Sequence, residues 1–425
     1  MIEKNPAPVA ISALIFLVFF VPQRYGIGSL GFVGSPSIIL ALVLAFWWFQ
    51  TVASGSQDAW RALTATPVAF LWVSALAASA AGWSRPLPVL EASAINRSLV
   101  WWLAYGGVAL FVATECQQAT LSRVLRRLVV GATYLALVGL LQFSLRLDLS
   151  HIAGLFFEES TIPTKTLLRG GLIRVAGSTK HPIEFGVTLA AVLPLALHLA
   201  LSEVDRGAVS RWVPPIAIAA GLTLSLSRAA LLGGAVGVLW LLPSLTPSRR
   251  GRLALVLVGA GLITFVVAPG VGRVLAASLH NISTDPSIQS RTADYALLDR
   301  FALEHLWFGR GPGTLLPDRY AYIDNQYLLT LIEHGVFGVL ALVTAFVVSL
   351  RSAWRSPGVG HALGGSIAVH AVTFVTYDAL RFPTASFTLF IAIGLLGAAQ
   401  GASRVRSSSR PPDPVHQRGA QAVAP

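Results

Sequence analysis

The sequence predicts an all-α, polytopic membrane fold, and three observations carry that expectation. Of 425 residues, 54% are hydrophobic and only 12% charged, where soluble domains carry roughly 25% charge. Apolar runs recur along the whole chain, many of about 20 residues, the length a helix needs to span a bilayer core of about 30 Å. The remaining charges form short basic clusters between those runs, as the positive-inside rule describes. Mean hydropathy is +0.68.

The first run, 9–22, is followed directly by a second, so it reads as a retained helix and not a cleaved signal. Helices are expected near 9–22, 34–53, 67–83, 98–115, 125–145, 182–201, 212–226, 229–243, 253–271, 326–349, 361–377 and 384–400, about twelve spans. The connections divide into two kinds. One is short and basic: Arg123, Arg126 and Arg127; Arg206 and Arg211; Arg249, Arg250 and Arg252; Arg351 and Arg355. With Arg404, Arg406, Arg410 and Arg418 of the tail, these mark the cytoplasmic side and put both termini there. The other kind is two long segments, 147–181 and 272–325, in which acids offset bases; these are expected outside. Residues 1–400 thus form one helical transmembrane domain, with the large outer loop 272–325 between the ninth and tenth helices carrying site residues. Residues 401–425, rich in Ser, Pro, Arg and Gln, read as a disordered cytoplasmic tail.

Other classes are disfavoured. A net charge of +12 would suit nucleic acid, but the arginines are scattered between apolar runs, so no nucleic-acid partner is expected. The single cysteine, Cys116, excludes an internal disulfide framework and any paired-cysteine metal motif. No HExxH, DxD or acidic cluster is present, so no metal is expected, and no cofactor. "FGRGPGT" lacks Gly-Lys-Ser/Thr and follows no strand, which argues against a nucleotide phosphate loop. Gly309, Gly311 and Gly313 there read as backbone turns.

One stretch departs from the pattern. "GLTLSLSRAALLGGAVGVLWLL", 221–242, holds a single charge, Arg228. Its flanking basic clusters, 206–211 and 249–252, both belong in the cytoplasm, so the chain between them must cross twice and turn near Ser227-Arg228. Each half is about 15 residues, or roughly 22 Å of helix, short of the core thickness. Arg228 is therefore expected to lie recessed, in a cavity. One long tilted helix with Arg228 at mid-membrane is the alternative.

With two crossings, a set of polar residues converges on the outer face. "LIRVAGSTKHPIEFG" contributes Arg174, Lys180 and His181; the turn contributes Ser227 and Arg228; the large loop contributes Arg291. Asp324 and Asn325, with Tyr327, open the helix "DNQYLLTLIEHG", and Asp378 and Arg381 lie in the last outer loop. An arginine at membrane depth costs about 2.5–3.5 kcal/mol on insertion scales, so something must compensate it. A bound anion fits, because a guanidinium fork matches phosphate oxygens with two parallel hydrogen bonds. Ordinary roles stand beside this one: Arg174, Lys180, Arg291 and Arg319 as solvated loop charges, Arg228 paired with Asp324 or Asp378, and Asp324 as a helix cap.

The ordered motifs "RVAGSTKHPIEFG", "LSLSRAALLG", an outer loop with Arg291 and "FGRGPGT", and "DNQYLLTLIEHGVFG" resemble the O-antigen ligase and polymerase superfamily. Those are bacterial integral membrane enzymes acting on glycans carried by undecaprenyl diphosphate. The likeness spans about residues 170–400; the amino-terminal half matches only in being hydrophobic. It implies a helical glycosyltransferase on the outer face of the cytoplasmic membrane, needing neither metal nor nucleotide sugar. It also implies a functional serine–arginine pair at Ser227-Arg228 and an essential arginine at Arg291. Ligases that attach O-antigen to a lipid A core usually carry a histidine where this chain has Asp324, which leans the reading towards polymerases or ligases using other acceptors.

The chemistry such an enzyme needs assigns expected roles. The donor is a sugar bonded at its anomeric carbon to a lipid diphosphate, already a good leaving group. Arg228 and Arg291 would stabilise its charge as fixed donors, with Arg174, Lys180, His181, Ser227, Asn325, Tyr327 and Arg381 expected to bind substrate. Asp324 would take the proton of the acceptor hydroxyl, and attack opposite the diphosphate gives inversion. The expected partners are the undecaprenyl-diphosphate-linked glycan donor, a glycan or lipid-glycan acceptor and the bilayer, with a chain-length regulator as a further candidate. A flippase for lipid-linked saccharides would also use recessed arginines, but it should show paired halves with matching broken helices, and no such internal symmetry is evident.

Overall fold

In lipid, backbone N–H and C=O groups find partners only within the chain itself, so apolar runs fold as helices. The computed structural model describes residues 6–27, 34–146, 158–159, 168–169, 171–274, 295 and 301–408. Twelve long helices stand among them where the apolar runs lie: α1 Ala7–Phe20, α2 Pro36–Ala53, α4 Val68–Trp83, α5 Val89–Glu115, α6 Gln118–Leu145, α7 Pro182–Ser202, α8 Ala208–Leu224, α9 Arg228–Leu241, α10 Pro247–Val267, α11 Gln326–Trp354, α12 Val359–Thr373 and α13 Pro383–Ser408. A short helix the apolar runs do not suggest, α3 Gln57–Ala65, starts where the Ser56 side chain accepts from the Ala59 amide at 3.3 Å, with Asp58 in its first turn. Both features favour a helix start. Extended backbone among the described residues is two antiparallel pairs, Tyr25–Gly26 with Glu158–Glu159 and Leu168–Arg169 with Leu172–Ile173.

Among the described residues, seven helices are long and apolar enough to cross a membrane: α2, α5, α6, α7, α10, α11 and the 383–400 part of α13. The other five expected spans are shorter, because the chain turns early at points such as 225–227 and 374–382. The last helix runs to Ser408, past the boundary at 400 expected for the tail. The sequence permits this, because no proline follows 400 until Pro411 and Pro412. Residues 409–425 lie outside the described residues.

The packing settles the direction of the disputed stretch. A Cβ on Gly186, at the start of α7, would touch both Ser225 and Ala230; one on Gly234 would touch Leu222; one on Gly237 would touch Pro194 of α7. Moving down α7, contacts therefore advance along α9 and retreat along α8. The two short helices run antiparallel and join at 225–227, where Leu226 adopts φ 50°. The single long helix is excluded. Glycine and proline face each other where α7, α9 and α12 meet, at Pro194, Gly237 and Gly365, and small residues let membrane helices approach closely.

These directions give the bundle two unlike ends. At one, Arg126 and Arg206 both bond Glu203, Arg127 donates to Pro8 O at 3.2 Å, and Arg211 donates to the Ala200 carbonyl at the end of α7. At the other lie the beginnings of α7, α9, α11 and α13 and the ends of α8 and α12.

One helix is broken. α11 carries Gly335 at φ 69°, ψ −170°, which interrupts its hydrogen bonds. The segment 306–311 repairs the gap: Arg310 and Gly311 amides donate to Ile332 O and Glu333 O, and Val336 and Phe337 amides donate to Leu306 O and Trp307 O, at 2.8–3.1 Å. So close an approach requires glycine on both sides. A Cβ on Gly309 would lie 2.3 Å from the Glu333 carbonyl carbon, and one on Gly335 would lie 2.3 Å from that of Trp307. Gly309, Gly311 and Gly313 have φ of 70°, 111° and 73°, the turns their sequence suggests.

Candidate functional site

The site begins with a strap, residues 174–181, laid across the ends of four helices. Gln142 of α6 accepts from the Ala176 and Gly177 amides at 3.1 and 2.9 Å. Ser178 donates to Phe19 O at the end of α1 at 2.6 Å, satisfying a carbonyl that a helix terminus leaves unpaired. Glu184, fully buried in the first turn of α7, accepts from the Lys180 amide at 2.8 Å and from the Thr384 amide at 2.7 Å. That single carboxylate joins the strap to the start of α13.

His181 caps α7: its Nδ1 accepts from the Ile183 amide at 3.1 Å, so the proton of the neutral ring sits on Nε2. Burial, and then the positive charge of Arg174, push the imidazole down to about 4. Burial likewise lowers Lys180, against the pull of Glu184. Arg174 reaches over to the turn between α8 and α9, donating to Ser225 O at 3.3 Å.

That turn presents Ser227 and Arg228. Ser225 Oγ accepts from the Ser227 amide, and Ser227 Oγ accepts from the Ala230 amide at 3.4 Å, capping α9. Arg228 is the first residue of α9 and half-buried.

Asp324 and Asn325 precede α11. Asn325 is the cap, its Oδ1 accepting from the Leu328 amide at 3.1 Å. Capping is thus not the office of Asp324. Gln326 binds the neighbouring loop at two points, donating its amide to Phe374 O at 2.7 Å and accepting the Leu380 amide on Oε1 at 2.9 Å. Asp378 sits in that loop, 3.7 Å from Arg381, with Asp324 near enough to act on it as a like charge. Burial first, and then Asp324, raise the Asp378 carboxyl to about 7 against the opposing Arg381.

Of the residues the sequence nominates, Arg174, Lys180, His181, Ser227, Arg228, Asp324, Asn325, Tyr327 and Arg381 all lie at this end of the bundle. Arg291 falls outside the described residues. Several already hold the protein together: His181, Ser227 and Asn325 cap helices, the Tyr327 hydroxyl donates to Ala371 O at 2.8 Å, and Arg381 Nη2 donates to Leu315 O at 2.9 Å and to Glu333 at 3.3 Å. Sequence reading misses Glu184, Gln326 and Glu333, whose partners are remote in the chain. It also misses a buried cluster beside them. Glu91 accepts from Arg85 at 2.5 Å, from Arg310 at 3.3 Å and from the Tyr320 hydroxyl, while the Arg310 guanidinium stacks 4.6 Å above the Tyr320 ring. The one local signal was "FGRGPGT" itself, an arginine set among turn glycines.

Fold and site together define a multi-pass, all-α membrane protein with cations and carboxylates gathered at one end and a basic cluster at the other. Residues 216–343, which include Arg228, Asp324, Asn325 and Tyr327, match the family model described as O-antigen ligase. Over that stretch, which is less than a third of its length, the chain carries an O-antigen ligase domain. No curated protein matches it.

Proposed function

We propose that the protein is a glycosyltransferase of the outer face of the cytoplasmic membrane, joining oligosaccharides carried on undecaprenyl diphosphate to one another or to a separate acceptor. The observation that carries this reading is the meeting of Arg174, Lys180, Ser227-Arg228 and Asp324 at one end of the bundle, in a chain with an O-antigen ligase domain. The opposite end holds Arg126, Arg206 and Arg211, so the positive-inside rule makes it cytoplasmic and the site extracytoplasmic.

The donor's diphosphate binds Arg228 and Arg291, with Arg174 and Lys180 adding positive charge. Fixed donors in a dehydrated setting stabilise the leaving group as the anomeric C–O bond breaks. Asp324, not needed as a cap, takes the proton of the attacking hydroxyl. Attack from the side opposite the diphosphate inverts the anomeric centre, and no metal is required.

Purified protein incubated with a lipid-diphosphate oligosaccharide tests this. Longer glycans without added acceptor identify a polymerase. Glycan found only on an added acceptor identifies a ligase. No new glycosidic bond, with the saccharide moved across the bilayer, identifies a flippase and overturns the reading.

A further inference from the structure

The Glu91 cluster closes the neck of a small loop. The Arg310 guanidinium lies 5.1 Å from the Phe301 ring, and that ring meets Tyr320 at 5.6 Å, so residues 301 and 310 stand side by side. Arg85 donates to Arg310 O at 3.0 Å. Gly311 packs on Gly82, one residue before the end of α4, where an added Cβ would lie 3.0 Å from Gly311 Cα. From this neck the chain runs partway down α4 and back, with Trp307 and Phe308 at its tip. The Phe308 ring meets Phe337 of α11 at 5.7 Å, and Phe337 meets Phe70, near the other end of α4, at 5.3 Å. Gly82 and Phe70 are roughly 18 Å apart along the helix. Since α4 is apolar and α11 is long enough to cross a membrane, the tip lies beside membrane helices and not above them.

Backbone at membrane depth must find its partners within the protein, and this loop does so. Leu306 O and Trp307 O accept from the Val336 and Phe337 amides at the break of α11, the Arg310 and Gly311 amides donate to Ile332 O and Glu333 O, and the Gly309 amide donates to His305 O at 2.8 Å. The apolar side chains stay uncovered: Leu303, Leu306, Trp307 and Phe308 are 63%, 40%, 68% and 46% exposed. They continue an apolar surface, for α4 exposes Val73 and Leu76, and α11 exposes Leu340 and Val343. Satisfied backbone with bare apolar side chains is the reverse of a solvated loop. From this arrangement we infer that residues 302–309 form a re-entrant loop, with Leu303, Leu306, Trp307 and Phe308 seated in lipid where head groups meet acyl chains. Tryptophan favours that boundary. Glu304, also exposed, holds the loop near the head groups, because a carboxylate is costly in hydrocarbon. The break at Gly335 is what admits the loop, by freeing the backbone groups that its own backbone needs. Nothing in this placement depends on the reaction catalysed.

The test uses the full chain in lipid nanodiscs, with the buried Cys116 changed to alanine. L303C and W307C carry nitroxide labels, beside L340C on a spanning helix and D205C at the opposite end of the bundle, where Asp205 is exposed. Power saturation with oxygen and a water-soluble nickel chelate reads depth. Labels at 303 and 307 should lie about 5–10 Å below the lipid phosphates, favouring oxygen as the label at 340 does, while the label at 205 favours nickel. Preference for nickel at 303 and 307 overturns the loop's placement in lipid. Low access to both reagents there, as a second copy or another protein would cause, overturns it as well. W307F, which keeps an apolar ring, guards against a cysteine variant that fails to fold. The emission lost between wild type and W307F should be quenched by bromine on the acyl chains and spared by aqueous iodide; the opposite result overturns the proposal.

Discussion

The carboxylate of Glu184, at the start of α7, accepts the backbone amide of Thr384, at the start of α13, at 2.7 Å. The same carboxylate accepts the Lys180 amide, so one buried side chain sets the strap against the last helix. Glu184→Ala leaves two amides without that partner, at about 1–3 kcal/mol for each buried donor left unsatisfied. Glu184→Gln keeps a carbonyl oxygen and should lose less. Thermal melting in detergent checks the order, parent above Gln above Ala. An alanine variant that melts with the parent would show that the carboxylate is not what joins these helices.

The break in α11 makes a sharper prediction about glycine. Gly335→Ala puts alanine at φ 69°, ψ −170°, a region essentially reserved for glycine and costing about 1–3 kcal/mol, and also drives a methyl group into the Trp307 backbone, where the available distance is 2.3 Å. Gly171 has a similar φ of 76°, with nothing within 4 Å of its added Cβ. Gly171→Ala should therefore show the conformational cost alone, while Gly335→Ala and Gly309→Ala fail to give folded protein. Recovery of monodisperse protein by size-exclusion chromatography distinguishes them. Equal behaviour of the three would mean that the backbone-to-backbone approach does not constrain α11.

Arg228→Lys and Arg291→Lys test the electrostatic part of the proposed mechanism. Lysine keeps the charge but loses the planar fork that grips two oxygens. Each change should lower the rate of glycan assembly by about 10²–10³-fold while the protein still inserts. Product length on gels, beside the amount of protein in the membrane, is the measurement. Near-normal polymer in both variants would count heavily against diphosphate binding at these residues.

His181 gives the protein an acid sensitivity whose sign is fixed. Its folded value, about 4, lies below the ordinary 6.5, so the unfolded chain binds the proton more readily. Stability from this group is complete above about 6.5 and is lost as pH falls towards 4. Asp378, raised to about 7, works in the opposite sense and loses its contribution as pH rises from about 4 to 7. The two are separable by mutation. His181→Asn retains a cap without a titrating ring, so its melting temperature should gain on the parent's as pH drops from 6.5 to 4. Parallel curves across that range would show that His181 does not titrate with unfolding.

The sequence by itself determined the class of fold and roughly where each long helix lies, and it favoured the crossing that turns at Ser227-Arg228, which the packing then settled. These are legible because lipid allows few solutions: an apolar run of sufficient length must be helical, and arginine clusters choose a side. It also marked Arg174, Lys180, Arg228 and Asp324, because a charge in an apolar chain stands out locally. Only the tertiary structure decided what those residues touch. Asn325, not Asp324, caps α11; His181 is a cap before it can be anything else; Arg381 is tied to Leu315 and Glu333. Glu184 with Thr384 and Glu91 with Arg310 are each separated by some two hundred positions. No periodicity or spacing encodes such pairs. They arise where helix ends meet, and which ends meet depends on how side chains as small as Gly186, Gly234 and Gly237 let neighbouring helices close upon one another.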